Sequence, residues 1–269
     1  MTKPKLNQCK ICFSPTNIIF TKKILNKYNV SFYQCENCLF LQTEKPYWLK
    51  QSYSNAITSQ DIGLLGRNIY YSNITEKLIY SDFRKSNKYL DYGGGYGIFT
   101  RLMRDKGINF YHYDKLCQNL FAQHFTIDDL PKNKRTFELT TSFEMMEHIY
   151  NPYQELDKIF SKTSNFLFTT ETLPQSDISN WWYLGTEHGQ HISFYSFKSL
   201  ELLAKHYHLN YFHNGRSLHL MTKNNFSSIN KSENKLQKIL KLIKEEVSPA
   251  SKLDSLTPID YKKIIKISE

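Results

Sequence analysis

Two cysteine pairs, Cys9-x2-Cys12 and Cys35-x2-Cys38, stand 22 residues apart. Each tight CxxC turn offers two thiolates, and together they supply the four soft ligands of a tetrahedral Zn²⁺. With Cys in all four positions such a metal would fold a module of about 45 residues, too small to stand on its own core, and would leave no open coordination position for catalysis. A metal-free remnant of such a site is the alternative; reduction in the cytosol disfavours disulfides. Cys117 is the leftover cysteine, expected to pack without chemistry. A different chemistry is written in Asp91-x-Gly93-x-Gly95-x-Gly97, between a strand pattern and a helix pattern. Glycines there let the backbone turn sharply and approach a ligand, which the following helix start can meet with its amides. A third stretch, 181–196, begins Trp-Trp-Tyr and gathers His188, His191 and Glu187 within a few residues. Aromatics can stack on a sugar ring or base, and an imidazole titrating near neutrality can take a proton.

The glycine stretch fails two familiar spacings. A dinucleotide fingerprint needs glycine where Ile98 or Thr100 stands, and a P-loop needs Lys-Ser/Thr after its last glycine.

The elements that must hold these residues show as alternating patterns. Strand-like runs occur at 89–92, 109–113, 137–143 and 166–170, with helix-like stretches at 98–106 and 153–161 between them. Such alternation argues for a parallel sheet covered by helices. A helix at 197–207 and strands at 211–213 and 218–221 are expected to close the domain, and a partly helical stretch around 69–80 to precede it. Leu236, Ile239, Leu240 and Ile243 recur at helical spacing among lysines, which reads as a basic amphipathic tail packed on its own domain or a partner protein. The organisation read is residues 1–45 as a zinc-binding module, 46–85 as a connecting segment, 86–225 as the α/β domain and 226–269 as the tail.

The Asp91–Gly97 stretch resembles motif I of the class I S-adenosylmethionine-dependent methyltransferases. Asp114 ends the second strand, where that family places the acid for the ribose hydroxyls. Phe143-Glu144-Met145-Met146-Glu147-His148 is similar to the family's segment after the fourth strand, followed by Asn151-Pro152 before a helix. The resemblance covers about residues 86–222. It implies a Rossmann-like, doubly wound, mostly parallel seven-stranded sheet with S-adenosylmethionine (SAM) as cofactor. Carried over by position, Asp91, Gly93, Gly95 and Gly97 would hold the methionine end and Asp114 the ribose. Asp128 or Asp129, with Asp129 preferred, would meet the adenine amino group, and Glu144 and Met145 would line the pocket.

The four-cysteine module and the 181–196 stretch together resemble bacterial methyltransferases that act on sugars. Their active site lies on a Tyr-His-Glu-His-x-Ser-Tyr/Phe-x-Ser run. His191 falls on its last His, the expected base, while Gln190, Gly189 and His188 replace its Glu, first His and Tyr. That divergence, and a chain too short for the third domain of the carbon-methylating members, favours transfer to oxygen. The resemblance therefore implies transfer to a hydroxyl of a sugar, sugar nucleotide or surface glycan, with His191, His188 and Glu187 as catalytic candidates.

Composition frames this reading. Hydrophobic residues make up 40% and aromatics 15%, too many for a disordered chain. No apolar run approaches the roughly 20 residues of a membrane span, and the polar start reads as no secretory signal, so a cytoplasmic protein is expected. The charge of +10 rests on 29 Lys and only 6 Arg, whereas phosphate and base-edge recognition favour Arg. An RNA base methyltransferase with an N-terminal zinc module is the alternative that this charge keeps open. A non-catalytic, SAM-binding interaction protein is the second.

Overall fold

A computed structural model describes residues 8–53, 62–84 and 87–225 and the single positions 254, 256 and 259. In chain order its elements are β1 (Thr16–Ile24), β2 (Tyr28–Cys35), β3 (Leu41–Thr43), α1 (Leu49–Ser52), α2 (Leu64–Asp82), β4 (Tyr89–Tyr92), α3 (Ile98–Asp105), β5 (Phe110–Tyr113), β6 (Leu139–Ser142), α4 (Pro152–Phe160), β7 (Asn165–Thr169), β8 (Ser193–Phe194), α5 (Phe197–His206), β9 (Asn210–His213) and β10 (Leu218–Thr222). The expected strand–helix alternation is present, with element ends shifted by at most two residues in the α/β region. The expected basic tail helix, 232–247, lies outside the described residues.

The six-stranded sheet has the order β5-β4-β6-β7-β10-β9. β4 runs parallel to both β5 and β6, and β9 is antiparallel to β10. Every residue of β4, β6, β7 and β10 is buried, as expected of interior strands covered on both faces. Seven strands were expected; six are found among the described residues. A seventh, beside β5, is reduced to the isolated bridge between His112 and Thr126. Thr126 at once caps a 3-10 turn with Asp129, so the chain leaves the sheet edge after one residue.

The described residues form two compact units. One contains the glycine loop, from 62–84, 87–142 and 159–167. There α3 begins at Gly97, whose φ of 85° ends the loop and opens the helix, and Lys106 ties that region to Glu76 of α2 at 2.6 Å. The other unit draws on 8–53, 143–158 and 168–225. It carries a second sheet, β1-β2-β3-β8, in which Leu41 and Gln42 of the cysteine module pair with Phe194 and Ser193. A core of Ile24, Phe32, Trp48, Tyr183, Ile192 and Phe194 fills it. Ser196 and Ser199 cap α5 reciprocally, each side chain accepting from the other's backbone amide at 3.0 Å.

Candidate active site and metal centre

The glycine loop is built by its own backbone. Gly93, Gly95 and Gly97 all have positive φ, a region that side chains enter at a cost. A Cβ on Gly97 would come within 2.6 Å of Asn119 Oδ1. A Cβ on Gly95 would meet nothing within 4 Å, so at Gly95 the loop opens onto free space. No side chain caps α3, which leaves its N-terminal end to an incoming ligand. An open cradle at a helix start fits the carboxylate-bearing end of SAM.

The two loop acids have separate tasks. Asp91 is buried and accepts from Thr100 Oγ1 at 3.1 Å and Thr141 Oγ1 at 3.4 Å. Burial pushes its carboxyl up to about 7, with Asp114 adding to the rise. It sits behind Gly94, whose added Cβ would fall 2.3 Å from its Oδ2, so its visible work is to brace the loop. Asp114 accepts from Gly95 N at 2.9 Å through Oδ2 and from the amides of Leu116 and Cys117 at 2.7 Å through Oδ1. It is half-buried, and a carboxylate oxygen keeps a further lone pair beyond one such bond. Of the adenine candidates, Asp129 Oδ2 accepts from Thr126 N and Oγ1, both at 2.7 Å, and Asp128 pairs with Arg135 at 2.8 Å. Glu144 adopts φ 56° and is pinned by Thr169, which donates to its Oε1 at 2.7 Å. Met145, half-buried, follows it and precedes the 3-10 turn Met146–His148.

In the other unit the candidate acceptor residues converge. His191 packs against His188, His148 and Tyr183, at ring centroid separations of 4.7, 4.9 and 4.5 Å. His191 Nδ1 lies 2.6 Å from Tyr183 O, and His148 Nδ1 lies 3.2 Å from Gln190 O and 3.0 Å from Tyr53 Oη. A carbonyl oxygen only accepts, so His191 Nδ1 carries the proton and its Nε2 keeps the lone pair; for His148 the Gln190 carbonyl calls for the same tautomer, while the closer Tyr53 hydroxyl can either accept from Nδ1 or donate to it. His188 is the opposite tautomer, because its Nδ1 accepts from Gln190 N at 3.1 Å. Its lone pair is thus spent on the loop. Glu187 is exposed, with Thr186 Oγ1 donating to it at 3.2 Å, and it points to no role in the cluster.

Burial holds the imidazoles neutral. His148 is held down to about 4, with His188 adding to the effect, and His191 lies well below the usual range. The loop carrying His188 and His191 is clamped at Gly189, whose carbonyl accepts from Trp48 Nε1 at 2.8 Å and Ser52 Oγ at 3.1 Å. Beside them lies Glu147, fully buried, which sequence reasoning passed over. Its Oε1 is 3.8 Å from His148 Nε2. Burial and nearby Glu144 push its carboxyl up to about 8. The Glu-His pair was legible as part of the 143–148 segment; its meeting with His191 was not, since that depends on the fold.

The cysteines gather as spaced. Cys9 and Cys38 Sγ are 3.5 Å apart, Cys12 and Cys35 Sγ 3.3 Å, and all four ligand atoms lie within 4.8 Å of one another. Zn–S bonds of about 2.3 Å in a tetrahedron place sulfurs about 3.8 Å apart, so the set is compatible with zinc. The two turns match: Phe13 and Leu39, each directly after a pair, have φ 61° and donate to the carbonyls of Cys9 and Cys35 at 3.1 Å. The turns are tied to the rest of the same unit, with Tyr153 Oη donating to Ile11 O at 2.7 Å and Ser196 Oγ to Cys38 O at 2.5 Å.

Among known families, the model described as "Methyltransferase domain" matches residues 67–214, more than half of the chain. Similar solved structures include the plantazolicin methyltransferase BpumL in complex with SAH, at 10% identity over 65% of this chain and 90% of that one, TM-score 0.44. The O-methyltransferase family 2 protein from Planctomyces limnophilus, in complex with apigenin, is 14% identical over 67% of this chain and 62% of its own, TM-score 0.42. The mitomycin 7-O-methyltransferase MmcR is 13% identical over 65% and 60%, TM-score 0.40. No curated protein matches the chain.

Proposed function

The chain belongs to the methyltransferase-domain family and is a SAM-dependent methyltransferase, and from that premise we propose that it methylates a hydroxyl of a sugar, sugar nucleotide or surface glycan. The observation that carries this reading is the junction of a bare imidazole lone pair with an aromatic wall. His191 keeps Nε2 unprotonated, with His148 on one side and Tyr183, itself packed on Trp181, on the other. Trp182, next to them in the chain, is 68% exposed. An exposed indole offers an apolar face to the C–H face of a sugar ring while polar groups address its hydroxyls.

Methyl transfer to oxygen breaks the sulfonium S–C bond as the O–C bond forms, and the hydroxyl must give up its proton. SAM, when bound, supplies the activated methyl. The chain's own part is to hold the acceptor in line, keep water out and receive or release that proton. Glycines 93, 95 and 97 and Asp114 hold the cofactor, with Asp91 bracing the loop from behind. His191 is the acceptor-side group, and His188 shapes its loop. Cys9, Cys12, Cys35 and Cys38 hold a structural Zn²⁺ that secures β1–β3 and, through β8, the strand that follows His191.

The test is an assay of the purified enzyme with SAM against a panel of sugar nucleotides and glycans, repeated with Trp182→Ala. A raised KM for the methylated sugar, with kcat within a few-fold of the parent, supports stacking by Trp182. Absence of turnover on every carbohydrate, with turnover on RNA, would move the acceptor to nucleic acid.

A further inference from the structure

The Glu147 carboxyl is fully buried, and among the described residues neither oxygen has a hydrogen-bond partner of ordinary length and angle; the Tyr183 and Thr170 hydroxyls are close enough only to offset part of its burial. Those two hydroxyls also meet each other at 3.5 Å, a contact in which only one of them donates. Burying a carboxylate without partners is strongly unfavourable unless a positive charge meets it. Facing it, at 3.8 Å, is a second ligand-type atom, His148 Nε2. His191 adds a third, a bare Nε2, since its Nδ1 is engaged by Tyr183 O. The three groups offer ligand atoms all within 4.8 Å of one another. Each imidazole is oriented by a backbone carbonyl on its far nitrogen, the arrangement by which proteins aim histidines at metals. Glu144 adds a further negative charge close by.

We infer that Glu147, His148 and His191 form a site for a first-row divalent transition-metal ion, distinct from the four-cysteine cluster. Two neutral imidazole nitrogens and one carboxylate are a borderline donor set that suits Mn²⁺, Fe²⁺, Co²⁺ or Zn²⁺ and leaves coordination positions open. Ligands at about 2.0–2.2 Å from the ion require the three side chains to draw together from their present spacing. The His148 side chain is 22% exposed, so the ion has a route in from solvent. Its use rests on the methyl-transfer reading above: an acceptor hydroxyl in an open position becomes more acidic, its O–H proton passes to solvent, and its oxygen is left to take the methyl. His191 then serves as a ligand through Nε2.

The experiment is Mn²⁺ binding to the full chain, followed by loss of the free-ion paramagnetic resonance signal, for the parent, Glu147→Gln and the double variant His148→Ala/His191→Ala. Mn²⁺ has little affinity for thiolates, so the cysteine cluster does not confuse the count. One tightly held ion per chain in the parent is expected, with affinity falling in both variants by at least the roughly 10–100-fold that even outer-shell changes cost. Thermal unfolding gives the second readout: Mn²⁺ raises the Tm of the parent and leaves that of Glu147→Gln unmoved. Equal binding by all three proteins, or no binding by the parent, overturns the site. Mn²⁺ uptake that depends on these residues, without methylation of any carbohydrate, keeps the site and removes the sugar reading. Carbohydrate methylation without Mn²⁺ uptake removes the site alone.

Discussion

His191 Nδ1 sits 2.6 Å from the carbonyl oxygen of Tyr183, and this one contact decides which nitrogen of the ring is free to act. With the proton held on Nδ1, Nε2 offers its lone pair to an acceptor proton or to an ion. His191→Ala is expected to lower turnover on the order of 10²–10⁴-fold while SAM affinity, measured by calorimetry, stays near the parent value. Parent-like turnover would reduce His191 to a brace of its loop.

Gly95 and Gly97 should respond differently to the same substitution. Gly97→Ala places a Cβ against Asn119 and Ala122 at φ 85°, which should cost about 1–3 kcal/mol of stability beyond any steric shift. Gly95→Ala meets no protein atom within 4 Å. Its stability cost is the backbone one alone, about 1–2 kcal/mol, and its larger effect should be on SAM affinity, because the added methyl occupies the cradle. Denaturant unfolding and SAM titration of the two variants check this.

Asp91 makes stability depend on pH. Burial raises its carboxyl from an ordinary 3.8 to about 7 in the folded chain. Between those values the folded state holds a proton that the unfolded state has released. This contribution is complete below pH 3.8 and is lost as the pH rises through 7. Asp91→Asn keeps the shape and should flatten the slope of unfolding free energy across that window. An unchanged slope would mean that Asp91 is ionised in the fold.

Cys12→Ser removes one of the four thiolates. The β1–β3 module is expected to become protease-sensitive and methyl transfer to fall, since the module reaches the His191 strand through β3 and β8. SAM affinity should hold, because the glycine loop belongs to the other unit. Measuring proteolysis and SAM binding on the same preparation separates these effects.

Much of this architecture could be read from the chain. The ends of β4 are legible because Tyr89–Tyr92 is buried throughout and stops at Gly93, and the CxxC spacing foretells the cysteine cluster. Where reading stopped short, the cause was physical. The two-residue strand Ser193–Phe194 is too short to show a period, so its pairing with Leu41 and Gln42 had no local signal. Thr126-x-x-Asp129 is also a capping spacing, and the structure has Asp129 Oδ2 on Thr126, a local bond that sits beside the expected adenine contact. Glu147 and His148 sat inside a segment already assigned to the cofactor. Their encounter with His191 needs the 3-10 turn at Met146–His148 and the clamp on Gly189, which no sequence window contains.

The most direct measurement is transfer of a radiolabelled methyl group from SAM into an extract of the source cell, fractionated into RNA, protein, polysaccharide and small metabolites. The account predicts label in polysaccharide or sugar nucleotides, stable to base as an ether and lost with His191→Ala. Label confined to RNA or protein would contradict it.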